Sequence, residues 1–180
     1  VPGLPEDPLM VAALELHLDE RSTRRIRVLW DLLEDLGVQT LRTPHDGKHR
    51  PHVSLISARA LDPDAVVEAL RPMRVAAPLR LNFQFAGVFV GRVVFLGLAP
   101  TPDLMRHQAE VWHHLTNAGI EGLPLYDPGE WVPHCTVSMR VPRPILTDAL
   151  RRCLEVLPIE ATVKKAAVVD YARDIYRELP

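Results

Sequence analysis

Apolar residues along the chain switch between two periods, and the switches mark its elements. The stretch 9–18 is almost wholly apolar, broken only by Glu15 and His17, and reads as a buried strand. Over 19–36 the period lengthens: Ile26, Leu29, Trp30, Leu33 and Leu36 recur at helical spacing until Gly37 stops them. A second helix opens at Asp62-Pro63, a cap followed by a first-turn proline, and ends before Pro72. A third opens at Thr101-Pro102 with Leu104, Gln108, Val111, Trp112 and Leu115 on its inner face, and a fourth runs from about Pro144 to before Pro158. The segments 52–57, 79–85, 92–99, 134–141, 160–170 and 175–179 read as strands, with turns at Ala86-Gly87 and at 171–174.

The order strand, helix, strand, helix, strand occurs twice, and the halves meet near Gly91. This predicts an α+β fold: a duplicated, two-lobed arrangement in which two antiparallel sheets face a central cleft, with helices on the outside. Each half has only about 90 residues, so the expectation is one domain, 1–180, of two pseudo-symmetric lobes (about 1–90 and 91–180) sharing the cleft.

The repeat is sharpest at Pro51-His52-Val53-Ser54-Leu55 and Pro133-His134-Cys135-Thr136-Val137. Both read Pro-His-x-[Ser/Thr]-apolar, and two chance copies in a chain of this composition are expected on the order of one time in a thousand. In a strand, His52 and Ser54 share one face, with Val53 and Leu55 on the other. Likewise His134, Thr136 and Ser138 oppose Cys135, Val137 and Met139. The apolar faces suit a core, whereas the polar faces are costly unless they line a wet cleft. Either histidine alone reads as a satisfied core residue; the duplication favours a paired site.

Paired imidazoles and hydroxyls fit phosphodiester chemistry. One neutral imidazole takes a proton from an attacking oxygen, a charged one gives a proton to the leaving oxygen, and the hydroxyls of Ser54 and Thr136 hold the phosphate. Neither a metal nor another cofactor is needed.

These two stretches resemble the paired His-x-[Thr/Ser]-apolar signatures of the 2H phosphoesterase superfamily, in particular its 2′-5′ RNA ligase and RNA 2′,3′-cyclic phosphodiesterase family. The resemblance covers motif spacing, length, element order and the closing strand pair; Ser54 stands where threonine is common. It implies two lobes around a cleft, with His52 as proton donor and His134 as proton acceptor in opening a 2′,3′-cyclic phosphate to a 2′-phosphate. It further implies RNA ends or small cyclic nucleotides as substrates, with reversible 2′-5′ ligation as a related activity. A rival reading is a catalytically silent module that binds nucleotides or RNA ends in the same cleft.

Composition narrows the partners. The net charge of −2 argues against a bulk grip on duplex DNA, while a small anionic ligand needs only a few local donors. No apolar run reaches membrane-spanning length, and no cationic segment precedes 9–18 as a signal peptide requires. Cys135 and Cys153 form no CxxC pair, which points to a reducing, cytoplasmic setting; a monomer is expected. Cys135 should face the core, not act as a nucleophile.

Other polar residues have milder readings. Arg50, Tyr126 and Trp131 flank the motifs as candidate substrate contacts, Tyr126 and Trp131 by stacking on a base. His45, His49 and His52 form a third possibility, a metal cluster, although no cysteine or second-lobe partner joins them and Asp46-Gly47 reads as a turn. A loop at the cleft mouth with His49 or Arg50 near phosphate fits better. His107, His113 and His114 read as helix surface, Arg21, Arg24, Arg25 and Arg27 as a solvated face, and Arg140 reaches a rim phosphate at most.

Overall fold

A computed structural model describes residues 11–43, 47–76 and 79–180. The first half contains β1 (Ala12–Leu18), α1 (Glu20–Glu34), β2 (His52–Ala58), α2 (Pro63–Ala69) and β3 (Arg80–Phe89). The second contains β4 (Val93–Leu98), α3 (Pro102–Asn117), β5 (His134–Ser138), α4 (Leu146–Val156), β6 (Ile159–Asp170) and β7 (Ile175–Glu178). Single 3₁₀ turns stand at Pro124–Tyr126 and Arg143–Ile145.

The helices begin where the capping chemistry places them. The Asp19 carboxylate accepts from the Ser22 amide at 3.0 Å. Asp62 and Thr101 do the same for α2 and α3, each followed by proline in the first turn. Leu104, Gln108, Val111 and Leu115 form the buried face of α3, while Trp112 is half-buried.

The strands form one continuous antiparallel path, β2-β1-β6-β3-β4-β5, with β7 against β6, in which the ladders of the two halves share a strand. The cause is the length of β6. Its C-terminal part pairs with β1 from Val163 to Val169, and its N-terminal part pairs with β3 from Ile159 to Thr162. One strand thereby belongs to both halves. Exchanging β1, β2 and β3 for β4, β5 and β6 reverses the path onto itself. The path also curls, so that its end strands β2 and β5 lie against each other. Buried apolar residues of both halves make one cluster, with Trp30, Phe83, Leu14 and Leu16 among its largest fully enclosed side chains.

The turn expected at Ala86-Gly87 lies further on. β3 continues to Phe89, and the chain reverses over 90–92, where Gly91 (φ 89°) and Arg92 (φ 68°) take left-handed conformations. Gly87 stays in the strand because the Phe95 ring of β4 lies over it. A Cβ on Gly87 would meet that ring at 2.3 Å. Strand β5 ends at Ser138, short of the expected 141. Residues 9 and 10 of the expected first strand lie outside the described residues.

Candidate functional site

The two Pro-His motifs open β2 and β5, the end strands that the curled path brings together. Val53 and Leu55, like Cys135 and Val137, are fully or almost fully buried, whereas His52, Ser54, His134 and Thr136 keep partial solvent contact. Burying each aliphatic side chain contributes roughly 1.5–3 kcal/mol, so the strand face is fixed by its apolar members and the polar ones follow.

Each motif carries a bulge at its final, apolar position. Leu14 and Glu15 of β1 face Ile56 and Ser54, which leaves Leu55 as the extra residue of β2. Val94 and Phe95 of β4 face Ser138 and Thr136, which leaves Val137 as the extra residue of β5. A bulge re-aims side chains locally. This overturns the expectation for Ser138. It does not share the cleft face but is fully buried, donating its hydroxyl to the Gln39 carbonyl at 2.7 Å.

Both imidazoles are held in one way. His52 Nδ1 lies 2.7 Å from the Arg50 carbonyl, and His134 Nδ1 lies 2.6 Å from the Val132 carbonyl. A carbonyl oxygen only accepts, so each Nδ1 carries hydrogen and each Nε2 is the nitrogen left to exchange a proton. In both, the accepting carbonyl precedes the motif proline, whose ring keeps that residue extended. His52, Ser54, His134 and Thr136 then line one cavity of about 110 Å³, together with Glu15, His49, Ser57, Tyr126 and Tyr171.

The surroundings of the two rings differ. The edges of Phe89 and Phe95 meet His134 at centroid distances of 4.9 and 5.3 Å. Burial pushes the His134 imidazole down to about 4; the Val132 carbonyl opposes this, and nearby His52 adds to it. At the other ring, His52 Nε2 lies 3.5 Å from Glu15 Oε1, a buried carboxylate. Glu15 Oε2 accepts from His17 Nε2 at 3.0 Å and from the Tyr171 hydroxyl at 3.4 Å.

The flanking residues separate. Tyr126 lines the cavity together with Ser54 and Ser57. Trp131, expected at the substrate, is 4 % exposed and donates its indole N–H to the Ser54 carbonyl at 3.1 Å. It braces the motif and is not among the cavity's lining residues. The Arg50 side chain is exposed and also off the lining; its contribution is the carbonyl that orients His52. His49 is buried against Tyr171, with ring centroids 3.8 Å apart. His45 lies outside the described residues; among those described, no group of three or more His, Cys, Asp or Glu residues is gathered as metal ligands. Burial pushes the Cys135 thiol up to about 12, so it is no nucleophile at neutral pH. His107 is not simply surface: it is half-buried and bonded to the Val75 carbonyl at 3.1 Å. Arg140 is exposed, beyond the end of β5.

Sequence reasoning noticed Glu15 and His17 only as breaks in an apolar strand. Their spacing of two, which puts both on one face, was the available signal. Their partners are set by pairing: His17 stands opposite His52, and Glu15 opposite Ser54.

A family model described as the 2′-5′ RNA ligase superfamily matches residues 16–175. A comparison with curated proteins returns no match. Among solved structures, one described as a phosphoesterase is similar at 15% identity and TM-score 0.57, covering 95% of this chain and 94% of its own. The MHV ns2 PDE domain is similar at 13% identity and TM-score 0.53, covering 94% of this chain and 99% of its own. Both share the fold. Among the described residues, no helix is long and apolar enough to cross a membrane.

Proposed function

We propose that this chain, which belongs to the 2′-5′ RNA ligase superfamily, is a metal-independent two-histidine phosphodiesterase that opens 2′,3′-cyclic phosphate ends of RNA or nucleotides. One observation carries the reading: two imidazoles, each pinned through Nδ1 to a backbone carbonyl, present Nε2 to one cavity beside two hydroxyls. The pinned rings need no reorientation to exchange protons, which is the preorganisation that acid–base catalysis requires.

The environments divide the roles. His134, neutral among phenylalanine rings, is the base: its Nε2 takes a proton from the attacking water as the water oxygen bonds to phosphorus. His52, beside the Glu15 carboxylate, is the acid: its Nε2–H passes to the 3′ oxygen as the phosphorus–oxygen bond breaks, leaving a 2′-phosphate. Ser54 and Thr136 hold the non-bridging oxygens, with Tyr126 lining the same cavity. With a 5′-hydroxyl in place of water, the same proton transfers form a 2′-5′ linkage and free the 3′ oxygen, and their reversal cleaves it.

The cavity is well below the ~300–1,000 Å³ of a pocket for a drug-sized ligand. It suits the phosphate, with the nucleoside or RNA chain at the mouth. The two halves act as a duplicated pair of lobes in one domain, a cytoplasmic monomer working on nucleotide or RNA ends and not on duplex DNA.

The test is turnover of 2′,3′-cyclic nucleotides followed by phosphorus NMR. His52→Ala and His134→Ala should each lower kcat by about 10²–10⁴-fold while leaving the circular dichroism unchanged, and the wild-type product should be the 2′-phosphate. Full activity in both variants would defeat the proposal.

A further inference from the structure

Glu15 is the least expected member of the site, a carboxylate only 2 % exposed. Such a group keeps its charge only where a cation accompanies it. Among the described residues, the titratable groups facing it include His17 from its own strand, His52 from β2, Cys135 from β5, Tyr126 from the 3₁₀ turn and Tyr171 after β6, with His49 lining the same cavity. Burial makes Cys135, Tyr126 and Tyr171 harder to ionise, so these stay neutral, and of the groups facing Glu15 the imidazoles of His17 and His52 can carry a positive charge.

The burial of His17 decides between them. Its Nδ1 is enclosed with no hydrogen-bond partner, while its Nε2 donates to Glu15. As an imidazolium it would bury a second N–H with nothing to accept it, and a charged orphan donor costs more than a neutral ring's unused lone pair. Lys165, opposite His17 in β6, is engaged with Glu178, and Tyr176 of β7 stacks on the His17 ring. His52 has no such obstacle. Its Nδ1–H is satisfied by the Arg50 carbonyl, and its Nε2 faces both the cavity and Glu15.

We propose that Glu15 is a positioning residue that holds His52 as the imidazolium, with neutral His17 fixing the carboxylate. This rests on the two-histidine reading and deepens it, because it states what makes one of two matching motifs the proton donor. The 3.5 Å separation is within Coulombic range but too long to commit the Nε2 proton, which stays available to a leaving oxygen. The other half supplies the contrast. Where Glu15 faces Ser54 and His17 faces His52, Phe95 faces Thr136 and Gly97 faces His134. The register matches, but the charged pair is replaced by a ring and a glycine. Among the described residues, the cavity that His52 shares is also lined by the titratable groups His134 and His49.

The test is the pH profile of Glu15→Gln on a 2′,3′-cyclic nucleotide. Loss of the carboxylate should move the alkaline limb down by about one pH unit and lower kcat at pH 8 about tenfold, with KM within about twofold. Glu15→Asp should restore most of the limb, which a merely structural role would not predict. Nitrogen NMR of the wild-type protein provides a readout independent of folding in the variants: at pH 7 His52 should be the imidazolium and His17 the neutral Nε2–H form. An unmoved limb in Glu15→Gln, or a charged His17 beside a neutral His52, overturns this inference. If His52→Ala still abolishes turnover in that case, the two-histidine reading stands without it; if His52→Ala stays active, the reading itself fails.

Discussion

At the scale of single residues, the consequence most open to measurement is the low proton affinity of His134. An imidazole enclosed by Phe89 and Phe95 is neutral until about pH 4, so a base at this position keeps working in mild acid. The acid limb of kcat/KM is expected near pH 4, and Phe89→Ala, which lets water reach the ring, should move it toward neutrality. The same shift affects stability. An unfolded imidazole takes its proton near 6.5, so between there and about 4 the unfolded chain binds more protons than the folded one. The stability contribution of the neutral ring is therefore complete above about 6.5 and declines as pH falls toward 4, by up to about 3 kcal/mol. Urea unfolding across that window should show the slope in the wild type and a shallower one in His134→Phe.

At the scale of elements, two strand glycines differ in whether the ring that covers them can move. Both Gly87 and Gly97 have a phenylalanine ring where a Cβ would stand, at 2.3 Å from Phe95 and 2.1 Å from Phe85. Phe85 is 43 % exposed and can swing into solvent. Phe95 is 5 % exposed and wedged between Phe89, at 4.1 Å, and His134, so it has nowhere to go. Gly87→Ala should cost about 1–3 kcal/mol and disturb the base, whereas Gly97→Ala should cost less. Paired thermal melts and rate profiles would distinguish them, and equal costs would count against the packing account. Gly87 also shows what the chain could not reveal beforehand. A glycine after an apolar run reads as a turn unless the ring that crosses it is known, and that ring is on the next strand. Local signals fared better: Asp62-Pro63 and Thr101-Pro102 cap their helices because capping involves only neighbours. The motif strands were legible from their alternation, but the bulges at Leu55 and Val137 were not, so Ser138 was assigned to the wrong face. Glu15, His17 and Trp131 take their places from partners distant in the sequence, 77 positions apart for Trp131 and Ser54, which no short window of sequence contains.

At the scale of the whole molecule, β6 joins what the repeat divides. The sequence order describes two halves, but β1 and β3 of the first are both completed by one strand of the second. Without β6, the inner edge of β1 and the inner edge of β3 each lose a full ladder, and the core loses Ile159, Ala161, Val163, Ala166 and Val168, all buried. At roughly 1.5–3 kcal/mol for each of the three larger aliphatic side chains, the loss is comparable with the lower part of the ~5–15 kcal/mol by which a typical domain is stable. A fragment of residues 11–90 is therefore expected to stay unfolded by circular dichroism, and adding a separate 91–180 fragment should restore structure only when the two associate. The intact chain should unfold in one transition, with the calorimetric and van't Hoff enthalpies equal. The cavity depends on the same connection, since His52 and His134 sit on the two ends of the strand path and meet only because that path is continuous through β6 and curls. A substitution that breaks the β6 ladder, such as Ala166→Pro, should consequently remove turnover and cooperative unfolding together, whereas His52→Ala removes turnover alone; retained activity in an Ala166→Pro variant that has lost the cooperative melt would show that the two histidines meet by some other route.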